Sequence, residues 1–117
     1  VNERNSVVDH AIQIVQITTM TDDAKQAATI ADTLVRERLA ACGQVLGPLD
    51  SVYWWQGRLE KATEWQCVVK TRDNLYKKVE ARIITLHSYE VPAIIAVPVV
   101  HGSESYLDWM NNEVETT

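Results

Sequence analysis

Cys42, His87 and Glu90 carry the donor atoms from which this chain could build a metal site: a soft thiolate, an imidazole and a hard carboxylate oxygen. Each also has an ordinary structural use. Cys42 stands where a helix gives way to a strand, and cysteine is among the most buried residue types, so a small core side chain is the alternative to a ligand for Cu(I). His87 closes a helical stretch, where a cation complements the helix dipole, so capping competes with ligation. Tyr89-Glu90 offers a hydroxyl and a carboxylate to a cleft, or else local hydrogen bonds that fix the turn before Pro92. Cys67 alternates with Trp65 and Val69 in a core pattern, and His101 before Gly102 reads as a solvated turn residue. No Cys-x-x-Cys or His-x-x-x-His spacing occurs, so a metal would draw its ligands from distant segments or from two subunits. Enzymatic work is not expected, because no motif sets a base beside the Cys42 thiol or builds an oxyanion hole.

The chain that must position these groups has 117 residues, enough for one domain with a modest core. No apolar run approaches the roughly 20 residues that cross a bilayer, so a membrane is not an expected partner. Sixteen acidic residues against eleven basic ones give a net charge of -5 with no Lys/Arg stripe, which argues against nucleic acid. Two cysteines outside any disulfide framework, and a first ten residues without a signal-peptide core, suit the cytoplasm.

Periodicity supplies the elements. Residues 11–20, AIQIVQITTM, read as a strand. Thr21 is the expected cap of a helix with Asp22 and Asp23 in its first turn, ending at Cys42-Gly43. Two extended runs follow about Gln56-Gly57, a hairpin whose first arm is bent or bulged at Gly47-Pro48 and lies at a sheet edge. Asp73 is the expected cap of a second helix carrying Leu75, Val79, Ile83 and Leu86 and ending near His87. The uncharged strand of AIIAV at 93–97 comes next, and a short amphipathic helix through Tyr106, Leu107, Trp109 and Met110 closes the chain. The order β-α-β-β-α-β is that of an α+β ferredoxin-like sandwich, two helices on one face of a four-stranded antiparallel sheet, with a long second hairpin and a terminal helix. One domain over 11–112 is expected, between a flexible segment 1–10 and a flexible tail 113–117.

Two helices cover one face only, yet the last strand is apolar on both sides. Something else must cover the second face, and a homo-oligomer is the expected answer. Glu64 and Lys70, six apart with Gln66 and Val68 between them, fall on that face, where they form an ion-pair network between subunits or line a pocket at the seam. Trp54 and Trp55 point to opposite faces, one into a neighbour and one to solvent.

Three stretches, ERLAACGQV at 37–45, SVYWWQGRLEKATEWQCVVKT at 51–71 and HSYEVPAIIAVPVVHGSESYLDW at 87–109, resemble the CutA family of divalent-cation tolerance proteins over roughly residues 11–112. The resemblance implies a homotrimer of ferredoxin-like subunits, similar in architecture to PII signalling proteins, with a role in metal-ion tolerance. It implies copper or another divalent cation as ligand rather than a required cofactor, with Cys42, His87 and Glu90 as the candidate ligands. Trp54, Glu64, Lys70 and Tyr89 are the candidate lining of an intersubunit cleft. A PII-like small-ligand sensor or protein-binding scaffold without a specific metal is the alternative. Ser88 and Ala93 depart from the family's usual proline and glutamate, and the second change removes a carboxylate.

Overall fold

The structure, a computed structural model, describes residues 13–116. Ile12 and the segment 1–10 expected to be flexible lie outside the described residues. Strands β1 (Ile14–Thr21), β2 (Cys42–Trp55), β3 (Arg58–Arg72) and β4 (Ile94–Pro98) alternate with helices α1 (Ala24–Arg36), α2 (Tyr76–Leu86) and α3 (Glu104–Glu113) in the expected order. All neighbours in the sheet are antiparallel, and the strand order is β2-β3-β1-β4, so the two central strands sit between a long and a short edge.

The caps differ in detail from expectation. Asp23, not Thr21, is the cap of α1: its carboxylate accepts the Gln26 N–H at 2.6 Å, while the Thr21 hydroxyl donates to the Asp23 carbonyl at 2.7 Å. The helix stops at Arg36 rather than Cys42-Gly43, because Arg38 takes the left-handed conformation (φ 62°) and the Leu39 N–H folds back to the Leu34 carbonyl. Asp73 caps nothing with its side chain and instead opens a 3-10 turn, Asp73–Leu75, ahead of α2. At the hairpin tip both Gln56 and Gly57 have positive φ, as a two-residue turn of this twist requires.

Helices α1 and α2 close one face of the sheet over Val15, Ile17, Cys67 and Val69, packed with Ala27, Ile30, Leu34, Val79 and Ile83. Burial of these side chains is the main source of stability, roughly 1.5–3 kcal/mol for each large one. A second, smaller cluster forms where α3 crosses the other face at one end, with Ile14, Ala41, Leu75, Met110 and Val114. Beyond α3, Val114 is buried, the Glu115 N–H donates to the Arg38 carbonyl, and Arg72 and Lys78 hold Glu115.

Beyond the helices the β2-β3 hairpin runs on as an arm, which gives the molecule its 55 × 26 × 22 Å extents. A bulge at Gly47-Pro48, where the register jumps between Leu46 and Leu49, bends the arm as expected. Glycine is required there because a Cβ on Gly47 would run into the Trp65 ring.

Candidate functional site

Directly opposed residues of a sheet share a face, so the register places Glu64, Gln66, Val68 and Lys70 of β3 together with Gln16, Thr18 and Met20 of β1 on the side away from α1 and α2. Each end of this open face has its own chemistry.

At one end the loop between α2 and β4 folds over the sheet. The His87 N–H caps α2 by donating to the Ile83 carbonyl. Its ring points elsewhere: Nε2 lies 2.7 Å from the Met20 carbonyl, which can only accept, and Nδ1 lies 3.1 Å from the Tyr89 N–H, which can only donate. The ring proton therefore sits on Nε2 and both nitrogens are committed. Tyr89, its ring 4.8 Å from that of His87, donates its hydroxyl to Glu64 Oε2 at 2.7 Å. Burial first, and the Glu64 hydrogen bond and charge next, push the Tyr89 phenol well above its ordinary value, so it remains a donor. Glu64 is only 5% exposed, and among the described residues no cation forms an ion pair with it. A cleft of about 710 Å³ opens between this loop and the arm, lined among others by Met20, Tyr53, Trp55, Glu64, Tyr89 and Glu90.

At the other end Cys42 sits directly opposite Lys70. The Tyr106 hydroxyl from α3 reaches both, 3.7 Å from the Cys42 sulfur and 3.4 Å from Lys70 Nζ, and the ring stacks on Trp109. Lys70 Nζ also stands 5.7 Å from the Tyr106 ring centroid.

The structure thus joins Glu64 to Tyr89, with Glu90 in the same cleft, and sets Cys42 and Lys70 apart from them. Cys42 is level with Gln16 of β1 through Lys70, while His87 meets Met20, a separation of about 13 Å along the strand. Among the described residues no group of three His, Cys, Asp or Glu side chains gathers in ligating position. His87 as a ligand would have to release Tyr89 or Met20. Trp54 and Trp55 do point to opposite faces, but Trp55 lines the cleft and Trp54 stands on the far side of the arm, 73% exposed. The extra residue of the bulge explains the exchange: even positions of β2 face the open side up to Leu46, odd positions from Leu49 onward. Tyr53 and Met20 were legible only as strand residues, and Tyr106 only as one apolar position of a helix.

Residues 14–113 match the profile of a protein family described as CutA1 divalent ion tolerance protein. The divalent-cation tolerance protein CutA of Thermus thermophilus is 41% identical over 98 residues, 84% of this chain and 93% of that one. The solved structure of the periplasmic divalent cation tolerance protein CutA of Archaeoglobus fulgidus superposes with a TM-score of 0.84 at 35% identity, covering 87% of this chain and 99% of that one. Protein CutA, chloroplastic, of Arabidopsis thaliana is 36% identical over 83 residues, 71% of this chain and 46% of that one. Relatives thus include periplasmic and chloroplastic proteins, and among the described residues no helix is long and apolar enough to cross a membrane.

Proposed function

The chain belongs to the CutA1 divalent ion tolerance family, and from that premise we propose that it works as a homotrimer that binds copper or another divalent ion in the response to metal ions. The observation that carries the reading is the face left open within one chain. Leu46, Ile95 and Val97 are exposed on it, and Val100 is exposed beyond β4, apolar side chains of the kind that mark a subunit interface. Copies of the chain packed through this face would cover it. They would also bring the donors of one copy toward those of another, which suits a metal whose ligands are dispersed in a single chain. Cys42, half-buried and free, and the exposed Glu90 are the readiest donors, with His87 joining once it gives up a present hydrogen bond. The protein acts by binding rather than by catalysis on this reading, in a reducing compartment such as the cytoplasm that suits its free thiols.

Calorimetric titration of the reduced protein with Cu(I), Cu(II) and Zn(II), beside Cys42→Ala of unchanged oligomeric mass, tests it. Stoichiometric binding lost in the variant is the expected result; weak binding indifferent to the change would end the ligand assignment. A second reading, small-ligand sensing without a metal, is favoured by the cleft of about 710 Å³ walled by Tyr53, Trp55 and Tyr89.

A further inference from the structure

We infer that the cleft between the hairpin arm and the α2-β4 loop binds a small organic cation, an ammonium group on an apolar body, with the Glu64 carboxylate as counter-charge and Tyr53, Trp55 and Tyr89 as aromatic walls. This deepens the small-ligand reading of the cleft and does not depend on the metal reading.

Glu64 is the reason for the charge. It is buried, it accepts one hydrogen bond from Tyr89, and among the described residues it has no ion-pair partner. With one hydrogen bond made, the carboxylate keeps acceptor capacity for a cation or further donors in the cleft that it lines. The basic residue on the same side of the arm, Arg58 opposite Trp55, makes no ion pair with it. Glu90 lines the same cleft, so an anion would meet two carboxylates.

The walls are the reason for an organic cation. Tyr53 and Trp55 project from one side of β2 toward the loop that carries Tyr89, and Met20 lines the same cleft. Aromatic faces attract an ammonium group through their quadrupoles, and the apolar lining favours carbon next to the charge. A hard divalent ion asks instead for six or more oxygens, while here one Glu64 oxygen is already engaged by Tyr89 and no three ligating side chains converge. Ala93 in the lining supplies a methyl group where a longer side chain would take up space.

The test is a calorimetric titration of the whole, metal-free protein in chelator with benzylammonium, benzyl alcohol and benzoate, which share a shape and differ in charge, and with tetramethylammonium. Saturable binding of benzylammonium, at least about tenfold tighter than benzyl alcohol, with tetramethylammonium bound and benzoate not, is expected. Glu64→Gln, which keeps the side-chain shape, should erase that preference with the oligomeric mass unchanged; Tyr53→Ala, at a half-exposed position, should weaken the ammonium ions about tenfold if Glu64→Gln does not fold. Cys42→Ala should change nothing. Equal binding of the alcohol and the ammonium ion would overturn the cation while leaving a small-ligand cleft. Absence of binding by all four probes would overturn the site, and a changed oligomeric mass in Glu64→Gln would then assign the counter-charge to a second copy of the chain.

Discussion

The same strands build two unlike faces. On the covered face Ile17, Cys67 and Val69 meet α1 and α2, and stability there follows from apolar area removed from water. On the open face Glu64 and Lys70 stand about 20 Å apart, each touched by a tyrosine hydroxyl from another element, Tyr89 at one end and Tyr106 at the other. The first face is interchangeable in detail, since any well-packed apolar set would serve. The second is not: its residues are placed by single hydrogen bonds, and its two ends carry opposite charges that do not meet.

The largest expected effect sets a covered position against an open one. Ile17→Ala should cost about 2–5 kcal/mol in urea unfolding, because it leaves a cavity between sheet and helices. Ile95→Ala, at a position 60% exposed within the chain, should instead lower the concentration-dependent melting temperature of the oligomer. A purely local loss at Ile95 that ignores protein concentration would break the contrast and the trimer reading with it.

The two cysteines sharpen the same contrast through pH. Burial pushes the Cys67 thiol up to about 11, whereas an unfolded chain would ionise it nearer the ordinary value of about 8.5. The folded state therefore holds its proton longer. Stability from this group is complete below about pH 8.5 and is lost as pH rises toward 11, a change of about 3 kcal/mol at most. Urea unfolding at pH 8 and 11 should show a smaller loss in Cys67→Ala than in the parent protein, and native alkylation at pH 8 should label Cys42 and spare Cys67.

Tyrosine removal compares the two ends of the open face. Tyr89→Phe takes away the partner of a buried carboxylate and should cost about 1–3 kcal/mol; Tyr106→Phe, exposed and at longer contacts, should cost less than about 0.5 kcal/mol. Equal losses would mean that the ends are energetically alike. Smallest of all, Thr19→Val on the covered face should raise stability by up to about 1 kcal/mol, since its buried hydroxyl has no protein partner.

Element types were legible because their signals are local. Alternation marked Cys67 and Val69 as core, the Gln56-Gly57 pair marked the hairpin, and the uncharged run at 93–97 marked a strand that one layer of helices could not cover. The six-residue spacing of Glu64 and Lys70 placed them on one face correctly, because β3 is unbroken between them. Boundaries were less legible: Arg38 ends α1 in a conformation that favours glycine, and its type gives no hint of it. The polar residues around Val114 gave no hint that it packs among Met110, Leu75 and Ile14, or that Glu115 bonds to Arg38 and Arg72.

The site divides in the same way. From sequence alone came the family, through the resemblance of three stretches, and the β-α-β-β-α-β order and the open face, because composition and period act over a few residues at a time. Tertiary structure alone decided which tryptophan lines the cleft, since one extra residue at Gly47-Pro48 reverses the parity of everything after it. It also decided that Cys42 keeps company with Lys70 and Tyr106 and not with His87, because strand register, a sum over the whole sheet, fixes which distant residues meet.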